Sequence, residues 1–181
     1  TAEGILCQEP SEKFASAIDP AYKQLRAPLT AQDALQPESL DAVASLAGLH
    51  HIEDKPAIYK AWFDALKPGG RFVLADVQAQ TGTGVYLNGF VDQHTPGGHD
   101  GIFLEPGLLG EDLRGVGFVD VAEELVNVHW QFPDRAICAN FCRSLFDVRG
   151  ASLGEVWDAL GNDVGLEETE NGVTLLWQLR Y

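Results

Sequence analysis

The sequence contains no methionine, only three cysteines and few basic residues: 12 Lys and Arg stand against 27 Asp and Glu, a formal charge of −15 at pH 7. Each shortage excludes something. Cys7, Cys138 and Cys142 are an odd number at spacings that give neither a disulfide framework nor a zinc motif. Cys138 and Cys142 stand one helical turn apart and could share a metal. With no second pair, buried thiols are the simpler expectation, because free Cys packs as a small hydrophobe. The negative excess repels phosphates and anionic headgroups, and no basic patch offsets it, so neither nucleic acid nor a membrane surface is an expected partner. No apolar run reaches the ~18 residues of a membrane span, and no charged-then-apolar signal opens the chain. A soluble, cytoplasmic protein is expected. Translation starts on Met and cores commonly use it as filler, so its absence points to a chain that is processed, unusual or part of a longer product.

The residues present are those of a globular protein: 45% are apolar and 22% charged over 181 residues, enough for one domain. Leu6 lies in a short apolar run that ends at Glu9, and Pro10-Ser11 then opens a helix carrying Phe14, Ala17 and Ile18. A short strand is expected around Lys23 to Ala27. Leu40 to Ala47 is an apolar run with the character of a strand buried on both faces. A helix follows, with Pro56 in its first turn and Ile58, Trp62, Ala65 and Leu66 on its inner face. Lys67-Pro68-Gly69-Gly70 stops it before a strand over Arg71 to Val77. Strand, helix, strand at these lengths is a βαβ unit, and the fold class is α/β.

Residues 78–101 are rich in glycine and polar groups and are expected to form a long loop. A helix over Glu105 to Arg114 precedes an interrupted strand from Phe118 to Trp130. Helices are expected over Pro133 to Val148 and Ser152 to Leu160. Asn171-Gly172 then opens a final strand in which Val173, Leu175, Trp177 and Leu179 alternate with polar or outward neighbours. No internal repeat or low-complexity segment is found.

Four runs form an ordered set: Ser39-Leu40-Asp41-Ala42-Val43, then Leu49-His50-His51, then Leu66-Lys67-Pro68-Gly69-Gly70-Arg71-Phe72-Val73-Leu74, then Gly117-Phe118-Val119-Asp120-Val121. This set resembles the class I S-adenosylmethionine-dependent methyltransferases, most of all the small-molecule group that includes ubiquinone- and biotin-pathway enzymes. The resemblance runs from about residue 4 to about residue 121, and Leu176 to Tyr181 is similar to the family's last antiparallel strand. It implies a Rossmann-like methyltransferase sandwich, mostly parallel with an antiparallel last strand, built as a single domain over 1–181 with a helical insertion at about 133–164. It also implies that the family's first strand and its Gly-rich cofactor turn are missing from this chain, since Gly4 alone precedes Glu9. A further N-terminal segment is therefore expected.

The implied cofactor is S-adenosylmethionine, lying beyond the carboxyl ends of the strands. On this resemblance Glu9 accepts from the ribose hydroxyls, Asp33 accepts from the adenine amine with Ala34 beside it, and Ser45 lies near the methionine part. Asp41 braces the strand start, and Pro68-Gly69-Gly70 makes the turn into the next strand. The implied activity is methyl transfer to a small-molecule acceptor, and a homodimer is the protein partner kept open. A catalytically silent ligand- or partner-binding domain of the same fold is the alternative.

Catalytic candidates are His50 and His51, which follow the fourth family strand and could orient the acceptor, take its proton, or simply pack. Asp92, His94, His99 and Asp100 gather in the expected loop. They could contact the acceptor, with His94 and His99 the substrate-binding candidates, hold a metal, or be solvated. No metal site is assigned. His129 is expected to be structural, and Trp62, Trp157 and Trp177 are expected in the core rather than in an aromatic box.

Overall fold

The structure, a computed structural model, describes residues 6–8, 23–25 and 34–181. The helix expected after Ser11 lies outside those residues, as do Glu9 and Asp33. Strands β1 (Leu6–Gln8) and β2 (Lys23–Leu25) pair in parallel, Leu6 with Lys23 and Gln8 with Leu25. Two compact units make up the chain. The first takes the chain up to Ala44 with Asp54–Val73 and Glu111–Val121, and the second takes Ser45–Glu53, Leu74–Gly110 and Ala122–Tyr181.

In the first unit, helix α1 (Lys55–Ala65) starts where Asp54 accepts from the Ala57 amide, 3.1 Å away, with Pro56 in the first turn as expected. Its face of Ile58, Tyr59, Trp62 and Ala65 is buried. Phe72 and Phe118 join this face in an aromatic cluster, with Trp62 to Phe72 at 5.4 Å and Phe63 to Phe118 at 5.0 Å between ring centroids. Gly117, at φ +124°, lies so close under Phe63 that a Cβ would stand 2.9 Å from the ring. The helix ends at Leu66, where the backbone turns extended and strand β4 (Leu66–Ala75) begins, several residues earlier than the sequence implies. Gly69 takes φ +78°, and a Cβ on Gly70 would meet the Lys67 and Asp41 carbonyls, so both glycines serve this turn. Lys67 also pairs with Asp41 at 2.8 Å, holding that exposed carboxyl below its usual range.

Strand β3 (Leu40–Leu46) forms where expected, but it is not buried on both faces: Leu46 is 71% exposed. Among the described residues β3 pairs with β4 alone, so one edge and much of its surface have no described neighbour.

The second unit holds the main core. Strands β5 (Leu125–Asn127) and β6 (Trp130–Phe132) replace the long interrupted strand expected from Phe118. Helices α5 (Arg135–Leu145) and α6 (Leu153–Ala159) follow, after α4 (Leu108–Val116) earlier in the chain. Ser152 and Glu155 form a reciprocal cap at the start of α6. The final strand divides in two. A strand missed by the sequence pattern, β7 (Leu166–Thr169), forms a hairpin with β8 (Gly172–Leu175), which also pairs antiparallel with β6. After a break at Leu176-Trp177, β9 (Gln178–Arg180) pairs antiparallel with β5. The alternation survives the break, since Val173, Leu175, Trp177 and Leu179 are all buried. Trp177 lies between Trp130 and Phe146, its ring stacked at 4.6 Å on one and 5.7 Å on the other. Cys138 and Cys142 are buried one turn apart on α5, and the neighbouring Cys138 thiol together with burial pushes the Cys142 thiol up.

The stretch expected to be a loop is largely helical. It runs as α2 (Gly82–Tyr86), a π-helical turn (Leu87–Val91) and α3 (Asp92–His94). Thr81 caps it by accepting from the Gly84 amide at 3.2 Å. Tyr86, Leu87 and Val91 are buried, and the spacing of five from Tyr86 to Val91 suits the wider π turn rather than a 3.6-residue period. The glycines here serve packing. A Cβ on Gly82 would run into the Asp163 carbonyl, whereas Gly89 faces open space. Gly82→Ala is expected to lower stability by about 1–3 kcal/mol, while Gly89→Ala is expected to raise it by up to ~1 kcal/mol through helix propensity. Urea unfolding of the two variants beside the parent measures both.

Candidate functional site

Within the second unit, the carboxyl ends of β3 and β4 carry the candidate chemistry. After Leu46 the backbone reverses through Ala47, at φ +48°, and Gly48 into a 3₁₀ turn (Leu49–His51). What holds this turn is Asp76, one residue beyond β4 and fully buried. Its Oδ2 accepts from the Leu49 amide at 2.7 Å and the His50 amide at 3.2 Å. Its Oδ1 accepts from the Val77 amide at 2.7 Å and lies 2.6 Å from His50 Nδ1. With three backbone N–H groups already aimed at this carboxylate, Nδ1 is the donor in the fourth contact. His50 is thereby fixed with Nε2 turned away from Asp76. The Asp76 main chain exchanges two hydrogen bonds with Arg180, and the Arg180 side chain reaches Gln78 Oε1.

His50 meets two more imidazoles. Its ring centroid is 4.1 Å from that of His51 and 5.4 Å from that of His99, and His51 and His99 are 5.3 Å apart. Phe103 backs the group at 5.8 Å from His50. His99 is positioned by its own neighbours. Its amide donates to Asp92 Oδ1 at 2.6 Å, and its Nδ1 lies 3.2 Å from Asn88 Oδ1. Asn88 donates to the Gly101 carbonyl and accepts from the Gly101 amide. Its Oδ1 is thus an acceptor, and His99 Nδ1 the donor. Burial, then the neighbouring histidines, lowers both the His51 and the His99 pKa below the ordinary imidazole value.

The structure therefore brings His50, His51 and His99 together and leaves His94 out of the ring contacts. His94 is engaged elsewhere: its Nδ1 is 2.8 Å from the Phe90 carbonyl, its ring packs on Phe90 at 4.4 Å, and its own carbonyl accepts from Arg149 and Gly150. Asp100 and His129 are exposed. Ser45 is half-buried near the end of β3, and Ala34 is half-buried in a bend. Trp62, Trp157 and Trp177 are buried, and the Arg135 guanidinium lies over the Trp157 ring at 4.8 Å. Asp76 and Asn88 were not singled out from the sequence. Asp76 carried a signal nonetheless, as an acid inside the apolar strand Phe72 to Val77, because a charged residue buried in a strand must be paired.

Residues 5–74 match the family described as "Methyltransferase domain", a stretch that includes β3, the histidine turn, α1 and β4 to Leu74. That stretch of the chain is similar to the methyltransferase-domain family. Phosphoethanolamine N-methyltransferase 1 of Arabidopsis thaliana is 31% identical over 87 residues, 48% of this chain and 17% of that protein. Phosphoethanolamine N-methyltransferase of Triticum aestivum matches at the same 31%, over 16% of its length, so the chain spans less than a fifth of either relative. Among solved structures, an S-adenosylmethionine-dependent methyltransferase of Mesorhizobium loti superposes at TM-score 0.53 with 18% identity, over 99% of this chain and 81% of that one. A SAM-dependent methyltransferase of Thermotoga maritima superposes at 0.56 with 18% identity, over 71% of this chain and 59% of that one. The fold is that of the Rossmann-like methyltransferases, in agreement with the α/β expectation.

The lowered pKa of His51 and His99 fixes the sign of a pH effect. Between the lowered folded value and the ordinary value of 6.5, the unfolded chain binds more protons, so stability rises with pH across that window. Their contribution is complete above about pH 6.5 and is lost as pH falls through the folded values. The urea midpoint is expected to drop between pH 7.5 and pH 5, and part of that drop is expected to vanish in the His51→Gln, His99→Gln double variant.

Proposed function

We propose that this chain is an S-adenosylmethionine-dependent methyltransferase acting on a small-molecule acceptor, folded as one methyltransferase-like domain over 1–181 with the helices of 133–164 as an insertion. The observation that carries this reading is the family match over residues 5–74. The curated relatives methylate phosphoethanolamine by name, which supports a small acceptor. The charge of −15 opposes an anionic one, so the reading stops at a small molecule. Among the described residues no helix is long and apolar enough to cross a membrane.

Bound S-adenosylmethionine supplies the sulfonium methyl. The described residues leave room for a ligand at the carboxyl end of β3, where Ser45 is half-buried and Leu46 is exposed. Glu9, Asp33, Ala34 and Ser45 are the residues that the resemblance names to hold it. On the acceptor side, His50 is a positioning group fixed by Asp76, and His51 and His99 are the groups whose lowered pKa leaves them able to take a proton at neutral pH. His99 supports the acceptor role more directly than His94, whose Nδ1 is already engaged. Holding the acceptor in line with the methyl in a water-poor site is the main physical requirement of the reaction.

Isothermal titration calorimetry of the full-length protein is expected to detect S-adenosylmethionine binding, weakened about tenfold or more by Glu9→Ala, as for loss of a charge-assisted hydrogen bond. An intact, folded full-length protein that binds neither S-adenosylmethionine nor its demethylated product would sink the reading and favour the silent domain.

A further inference from the structure

Three imidazoles converge in the second unit with more order than acceptor binding alone requires. The candidate ligand atoms of His50, His51 and His99 all lie within 4.8 Å of one another. Two of the rings have their Nδ1 already committed, His50 to the Asp76 carboxylate at 2.6 Å and His99 to Asn88 Oδ1 at 3.2 Å. Each therefore presents Nε2, the arrangement in which a carboxylate or amide behind a histidine fixes its tautomer and raises its donor strength. Asp76 and Asn88 are themselves fixed, Asp76 by three backbone amides and Asn88 by two hydrogen bonds to Gly101. Behind the rings stands Phe103, and the three histidines grade from buried His50 through His99 to exposed His51, so the group has an apolar back and an open front.

We propose that His50, His51 and His99 form a three-histidine site for a late first-row divalent metal ion such as Zn²⁺, with its remaining coordination position open to solvent. Imidazole is a preferred ligand for such ions, and three protein ligands with one open position is the arrangement of reactive rather than structural zinc sites. Zn–N bonds of 2.0–2.1 Å imply nitrogens roughly 3.4 Å apart, so the ion draws the rings together by about an ångström. His51 is exposed and its ring can make that adjustment, while His50 is held by Asp76 and His99 by Asn88 and Asp92. The open position would take an oxygen or nitrogen of the acceptor, in place of direct proton transfer to His51 or His99, whose lone pairs the ion would hold; that role rests on the methyltransferase reading, and the metal site itself does not.

The test uses the full chain, stripped with a chelator and without S-adenosylmethionine, so that its outcome is independent of methyl transfer. Titration with Co²⁺ followed by visible absorption, and with Zn²⁺ by calorimetry, is expected to saturate at one ion per chain. His99→Ala and His51→Ala are each expected to weaken binding at least tenfold, and Asn88→Ala about 10–100-fold, as for loss of a residue behind a ligand. His129→Ala, at an exposed position, is expected to bind as the parent does. Circular dichroism of each variant checks that it is folded. Zn²⁺ is also expected to raise the thermal midpoint of the parent and not that of His99→Ala. Binding that does not saturate at one ion, or that folded His99→Ala and His51→Ala retain, overturns the proposal.

Discussion

A carboxylate with no access to water persists in a fold only where donors fill its oxygens, because an unpaired buried charge costs several kcal/mol or more. Asp76 meets that requirement with the amides of Leu49, His50 and Val77 and with the His50 ring. Satisfying the charge and shaping the site are the same act. The three backbone donors fix the 3₁₀ turn after β3, and the fourth contact fixes the imidazole that the turn carries. The Asp76 backbone, bonded in both directions to Arg180, ties the same residue to the last strand. His51 and His99 then take their places around a ring that cannot turn.

How far the sequence discloses this depends on the kind of signal each part carries. Helix α1, strand β3 and strand β8 were legible because a proline in the first turn, a continuous apolar run and period-two alternation are local signals, although the run at β3 overstated its burial. Residues 82–94 were not, since glycine and polar residues suggested a loop while the buried residues follow a π turn, whose spacing no helical template contains. Glycine was also misleading at Gly82, where its absence of a Cβ serves contact with the Asp163 carbonyl and not chain mobility. The hairpin of β7 was hidden because Leu166 to Thr169 is nearly all polar and exposed, so it carries no apolar alternation.

The site divides in the same way. His50 and His51 were legible as a pair next to a strand end. Their association with His99 was not, because it arises from a contact nearly fifty residues away in sequence that depends on Asn88 and Asp92 to set the loop. Asp76 was visible only as an acid among apolar neighbours. The family resemblance added the expected cofactor and the strand ends where it lies, and the match over residues 5–74 supports it. It did not point to the three-imidazole group, which belongs to the geometry of this chain. The strongly acidic balance keeps its meaning throughout, opposing polyanionic partners.

The hydrogen bond from His50 Nδ1 to Asp76 is what the site stands on. Long-range proton–nitrogen correlation of the histidine rings, with His50 assigned through a His50→Gln variant, reads that bond directly. A proton resident on His50 Nδ1 and in slow exchange with water is expected. A His50 ring whose Nδ1 carries no proton, or whose Nδ1 proton exchanges as freely as that of the exposed His129, would contradict it.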